Sequence, residues 1–240
     1  MSDLHPVTAV VTGVLGLAGG LLVPLLIARV PEPVPYDDEP EPPPKELYAE
    51  IAARPAVRWG SIICSGLAAA FLGLLLGWDH VLVVLLPLVP ASVALAVIDW
   101  RTKLLPTRLV WPTFLVTVPL VLVSWLVGGE LSDPAPLVRA VLGCVASFAI
   151  FYVLWFVYPR GMGFGDVRLS AVLGLALGFL GWSELLVGMY GGFLLGGVLG
   201  GLLTALKLFN RKGYPFGPFM LVGALLGVVL GQPVLSAIYG

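Results

Sequence analysis

Apolar stretches long enough to cross a bilayer recur from end to end of this chain, and the short polar links between them leave no room for a water-soluble core. A helix needs about 20 apolar residues to span the hydrocarbon layer. By that rule eight spans are predicted, at roughly 7–28, 61–78, 80–98, 109–128, 137–158, 167–182, 184–206 and 217–238. Backbone polar groups in lipid find no water, so spans of this length must be helical. The expected fold is therefore all-α: a polytopic membrane helix bundle of about eight transmembrane helices, with residues 1–240 forming one integral membrane domain. Only 11% of the residues are charged, against about 25% in a soluble domain. The net charge of −1 and the lack of a basic face give no reason to expect nucleic acid. The first span has no cationic n-region and no small-residue cleavage site, and reads as a retained helix.

Basic residues orient the bundle. Of the 13 lysines and arginines, all but Arg139 follow an odd-numbered span: Arg29, Lys45, Arg54 and Arg58 after the first, Arg101, Lys103 and Arg108 after the third, Arg160 and Arg168 around the gap after the fifth, and Lys207, Arg211 and Lys212 after the seventh. Those links face the cytoplasm on this reading, and both termini face outside. The longest link, residues 30–60, is acidic and proline-rich, and proline-rich tracts favour extended chain. Within it KELYAEIAAR can form a short helix at the membrane surface. Cys64 and Cys144 lie alone in apolar runs and read as packing residues, with no disulfide or metal site expected. Gly188, Gly192, Gly196 and Gly200 share one helix face, as do Gly223, Gly227 and Gly231. Small residues at that spacing let helices approach closely.

The acids then sort by place. Seven lie in the 30–60 link, where they are solvated. Asp3, Asp79, Glu130, Asp133 and Glu184 fall in outer links or at the terminus. Asp99 and Asp166 remain, each at the inner end of a span. Two crossings separate them, so the chain returns to the starting side and both carboxylates reach one membrane face. Paired carboxylates have a specific use, because close together they cannot both ionise. The charged one activates a water; the protonated one polarises a carbonyl and later protonates the leaving amine. An acid at a helix C-terminus, as at Asp99, is electrostatically unfavourable, which points toward a functional role. In GMGFGD, Gly161, Gly163 and Gly165 permit positive φ and close backbone approach, and read as a hinge for Asp166. The plainer role for Asp166 is as N-cap of the sixth span.

Three segments carry a family resemblance: DWRTKLLPTRL at 99–109, GMGFGDVRL at 161–169 and YPFGPFMLVGA at 214–224, with a weaker match in GGLLVPLLIARVPE at 19–32. In this order and spacing they resemble the type IV prepilin leader peptidases, bacterial inner-membrane aspartic endopeptidases of the GxGD class. The resemblance implies a catalytic pair at Asp99 and Asp166, with Pro106, Arg168, Pro215, Phe216, Gly217 and Pro218 in the supporting motifs. It implies cleavage of the basic leader of a membrane-anchored prepilin or pseudopilin, after a glycine, at the cytoplasmic face of the inner membrane. Peptide cleavage needs no cofactor. Many members also methylate the new N-terminus with S-adenosylmethionine, and many carry a paired CxxC zinc module in the link that is residues 30–60 here. This link holds no cysteine, so a zinc module of that kind is not expected, and S-adenosylmethionine matters only if the chain methylates. The motifs depart from the pattern at Leu105, Thr107 and Arg168. The alternative reading of the same acids is a proton or cation relay in a membrane transporter.

Overall fold

The structure is a computed structural model, and it describes residues 4–32, 46–129, 131–159, 162–205 and 215–239. These residues fold into ten helices: α1 (Pro6–Gly20), α2 (Val23–Ala28), α3 (Tyr48–Ala53), α4 (Pro55–Leu76), α5 (Leu82–Thr102), α6 (Thr107–Val127), α7 (Ala135–Val157), α8 (Phe164–Leu180), α9 (Trp182–Ala205) and α10 (Gly217–Tyr239). Each predicted span carries a helix, with α1 and α2 sharing the first. Among the described residues six helices are long and apolar enough to cross a membrane: Pro6–Ala28, Pro55–Leu76, Leu82–Thr102, Thr107–Val127, Ala135–Val157 and Gly217–Val234. The all-α, multi-pass architecture read from the sequence therefore holds.

The burial pattern is that of a bilayer protein. Helix α1 buries Thr8, Thr12, Gly16 and Gly20 while Val7, Val10 and Val14 point outward. Helix α6 likewise buries Thr113, Thr117 and Ser124 and exposes Leu115, Val116 and Leu122. With lipid outside there is no gain from hiding leucine, so small residues take the helix contacts. The buried threonines cost little because their hydroxyls donate back one turn: Thr12 to Thr8 O at 2.8 Å, Thr113 to Leu109 O at 2.8 Å and Thr117 to Thr113 O at 2.7 Å.

Close packing fixes the helix pairs. Helices α9 and α10 meet along the two predicted glycine stripes: a methyl on Gly223 would lie 2.4 Å from Gly192 Cα, and one on Gly227 2.6 Å from Gly188 Cα. A second pair went unread in the sequence. Helices α7 and α8 cross at Gly143 and Gly174, where a methyl on either would lie within 2.6 Å of the other's carbonyl oxygen.

Helix α8 sits at the centre, packed by α6, α7, α9 and α10. Twelve of its 17 residues are buried, which is why it is apolar all round without a polar stripe. Its far end is closed by Arg139, whose guanidinium donates to Gly178 O and Phe179 O at 2.8 Å and Leu180 O at 3.2 Å. The one basic residue outside the charge pattern thus caps orphan carbonyls at a helix C-terminus.

Two expectations need correction. Glu184 lies not in an outer link but in the first turn of α9, 5% exposed and held by Ser183 Oγ at 2.7 Å and Gln232 Nε2 at 2.9 Å. Cys64 is not a packing residue but is exposed on α4.

Candidate active site

The DWRTKLLPTRL segment is a helix end, a turn and a helix start. Asp99 lies in the last turn of α5. Lys103 ends that helix with a left-handed φ of 55°, its N–H donating to Asp99 O at 2.8 Å. Pro106 then sets extended backbone at the head of α6, and its carbonyl accepts the N–H groups of Leu109 and Val110. The turn leaves Leu105 facing the start of α8.

Asp99 is 4% and Asp166 6% exposed, and both sit at the same end of the bundle. Each carboxylate uses Oδ2 to accept a backbone N–H: Gly217 donates to Asp99 at 2.9 Å and Gly163 donates to Asp166 at 3.1 Å. Both donors stand at helix N-termini, of α10 and α8, where the positive end of the helix dipole favours an anion. The penalty for an acid at the C-terminus of α5 is thereby offset by the N-terminus of α10. Asp166 does cap α8, though from the third helical position and not as N-cap: its carboxylate takes Gly163 N–H while Asp166 N–H donates to Gly163 O at 3.0 Å. The two acids flank Leu105, which packs on Gly165 beside Asp166 and on Gly217, whose N–H holds Asp99.

Leu105 is the hub that joins the three motifs. A methyl on Gly165 would lie 2.6 Å from Leu105 Cβ, and one on Gly217 would lie 3.2 Å from Leu105 Cδ1 and 2.7 Å from Asp99 Oδ2. The glycines therefore serve close approach. Neither Gly163 nor Gly165 has positive φ, Gly163 stands as N-cap and Gly165 lies inside α8, so the expected hinge is a capped helix start. Gly161 lies outside the described residues. Arg168 donates to Thr107 Oγ1 and its guanidinium lies 4.6 Å over the Phe164 ring, tying α8 to α6. Phe216 packs on Phe193 and Phe151 at 5.4 and 6.3 Å. Pro215 and Gly217 are buried beside it, and Pro218 is the second residue of α10, in the first turn where proline's missing N–H costs nothing.

One set of contacts escaped the sequence reading. Tyr48 of α3 is buried and hydrogen-bonds Thr102, whose own hydroxyl donates to Ile98 O at 2.9 Å. Burial pushes the Tyr48 phenol above its usual range, with Glu32 adding to the effect and the Thr102 bond opposing it. Glu46 pairs with Arg54 and approaches Arg101 at 3.8 Å. The end of the 30–60 link thus clamps the helix turn that carries Asp99. The three-residue spacing of Tyr48 and Ile51, which puts both on one helix face, was the available signal. Residues 33–45 of the acidic link lie outside the described residues, and among the described ones no group of three or more His, Cys, Asp or Glu gathers as a metal site.

Comparison with known proteins gives the family. The profile of the "Type IV leader peptidase family" matches residues 86–232, which takes in Asp99, Asp166 and the Gly217 segment. A "Prepilin leader peptidase/N-methyltransferase" of Aeromonas salmonicida (strain A449) is 31% identical over 164 residues, covering 66% of this chain and 52% of that protein. The "Leader peptidase HopD" of Escherichia coli is 32% identical over 153 residues, covering 61% of this chain and 90% of that protein. A Bacillus subtilis (strain 168) "Prepilin leader peptidase/N-methyltransferase" is 29% identical over 150 residues, 60% of this chain and 54% of its own. The chain thus spans about half the length of two of these relatives and nearly all of HopD. No solved structure matches it.

Proposed function

The chain belongs to the type IV leader peptidase family, and from that premise we propose that it is a membrane aspartic endopeptidase whose working groups are Asp99 and Asp166. Its substrate is a membrane-anchored prepilin or pseudopilin, cut after a glycine at the end of a basic leader. The observation that carries the reading is the paired burial of two carboxylates at one end of the bundle, each held by a helix-terminal N–H.

The chemistry follows from the pair. Two close carboxyls share one proton, and that proton belongs to the pair more than to either residue. The ionised member takes a proton from a water, whose oxygen adds to the scissile carbonyl carbon. The protonated member hydrogen-bonds the carbonyl oxygen as charge builds there. The tetrahedral intermediate collapses with a proton passing to the amide nitrogen, the C–N bond breaks, and the pair again holds one proton. The bonds from Gly217 and Gly163 fix both carboxylates before substrate arrives, which lowers the cost of positioning.

Orientation follows the charges. Arg101, Lys103, Arg108 and Arg168 lie near Asp99 and Asp166 in sequence, and basic residues stay on the cytoplasmic side. We therefore assign the site to the cytoplasmic face of a bacterial inner membrane, with eight crossings, both termini outside and residues 1–240 acting as one domain. The A. salmonicida and B. subtilis relatives are named as N-methyltransferases too. Methyl transfer would draw on S-adenosylmethionine, a charged nucleoside that needs polar walls. The cavity that reaches Trp100 and Arg101 is walled by apolar side chains apart from Ser61 and Arg101; it does not fit that group, and the reading stops at cleavage.

Mass spectrometry of a co-expressed prepilin's N-terminus tests the proposal. Leader removal with the native chain, lost in Asp99→Asn and in Asp166→Asn at equal membrane insertion, is the expected result. Wild-type-like processing by either variant overturns it. Acid-dependent ion flux in liposomes without cleavage would instead make the pair a relay.

A further inference from the structure

Helices α4 and α10 each pack on α5, and a slot runs between them. Its deeper part is a cavity of about 270 Å³ walled by Ala68 and Leu72 of α4, Leu88 of α5, Leu177 of α8 and Leu221 and Val228 of α10. A second cavity of about 380 Å³ reaches Ser61 on α4 and Trp100 and Arg101 on α5. The two share Cys64, Val93, Ala96 and Pro218 as wall residues, so they are one continuous groove. From Pro218 to Val228 it follows α10 for roughly 15 Å at 1.5 Å per residue.

Two features separate this groove from an ordinary lipid-facing crevice. It leads to the acids: Trp100 and Arg101 follow Asp99 directly, and Pro218 follows Gly217, whose N–H holds Asp99. Its wall changes character along its length, apolar apart from Ser92 in the deep part and bearing the cationic Arg101 at the end near Asp99. A groove that ends beside the Asp99 turn suits a helix whose inner end is the bond to be cut.

We propose that this groove docks the apolar transmembrane helix of the substrate, one face against α4, α5 and α10 and the other in lipid, so that the unwound peptide at its inner end passes Ser61 and reaches Asp99 and Asp166. The proposal rests on the peptidase reading and specifies how that site selects membrane-anchored substrates.

The native thiol of Cys64 lies at the waist of the groove and is exposed, which allows a test in the full chain. Cys144, which lines a different cavity between α6, α7 and α8, is first replaced by alanine. Two synthetic probes are used in lipid nanodiscs. One carries a basic leader, a glycine junction and a leucine–alanine transmembrane helix; the other is the same leader and junction with only a short polar tail. Alkylation of Cys64 with N-benzylmaleimide is expected to slow cleavage of the anchored probe by about tenfold or more, equivalent to about 1.4 kcal/mol of lost docking, and to leave the short probe unchanged. Equal slowing of both probes, or of neither, overturns the proposal. Trapping separates this result from failure of the peptidase reading. A cysteine placed one to two turns into the probe helix is expected to form a disulfide with Cys64 under copper phenanthroline, in the native chain and in Asp99→Asn alike. Trapping without any cleavage would uphold the groove and sink the peptidase. A yield no higher than with an unrelated transmembrane helix means the groove holds lipid and ends the proposal.

Discussion

The two ends of the bundle each bury a carboxylate in the first turn of a helix, and they treat it in opposite ways. At the end away from Asp99, Glu184 opens α9 with a side-chain donor on each oxygen, Ser183 on Oε2 and Gln232 on Oε1, and it interlocks with α10 where a methyl on Gly231 would lie 2.7 Å from Glu184 N. At the other end, Asp166 opens α8 with one backbone N–H and a second carboxylate as neighbour. A fully satisfied buried acid stiffens a contact, whereas two acids set against each other keep a proton in play. Burial is common to both ends; the pairing at one of them is what the proposed mechanism draws on.

Charge removal is the largest break between the ends. Asp166→Asn is expected to lower leader cleavage by about 10²–10⁴-fold, the usual contribution of a positioned acid–base group, while Glu184→Gln leaves the rate per folded molecule unchanged. Cleavage kinetics on purified protein check both. Next comes Gly217→Ala. Its added methyl would sit 2.7 Å from Asp99 Oδ2, too close for the carboxylate to stay in place, and a misplacement of about 1 Å costs about 10²-fold in rate, with little effect on binding of an anchored probe.

Stability should respond at the opposite end. Glu184→Ala strands the Ser183 hydroxyl and the Gln232 amide, a loss of about 1–3 kcal/mol, which a lower Tm in detergent at unchanged cleavage per folded molecule would register. The smallest expected effect is Tyr48→Phe. Losing its bond to Thr102 costs about 1 kcal/mol and loosens the turn below Asp99, so kcat should fall a few-fold with KM held. A change in KM alone would place Tyr48 in substrate binding and remove it from the clamp.

Much of this was legible in the sequence, for identifiable reasons. Span lengths and the positions of Asp99 and Asp166 are one-dimensional facts, and an even number of crossings brings them to one face whatever the packing. The glycine stripes of α9 and α10 were readable because their four-residue period is a helix period. Glu184 was misread because GWSE resembles a polar link, and its partner Gln232 arrives from a helix 48 residues away. Leu105 was noted only as a departure from a motif, since an apolar residue gives no hint of being a hub. Tyr48 lay in a tract whose acidic start suggested solvent, and only the fold brings Thr102 above it. Cys64 looked like packing because sequence does not say which helix face is left without a neighbour.

The central claim is that Asp99 and Asp166 act as one unit, and a double-mutant comparison tests it most directly. Cleavage of one membrane-anchored leader probe is measured for Asp99→Asn, Asp166→Asn and the double variant at matched insertion. Groups that share one proton give losses that do not multiply, so all three variants should fall to the same residual rate. A double variant slower than either single by the product of their losses, or a single variant that still cleaves like the native chain, would contradict it.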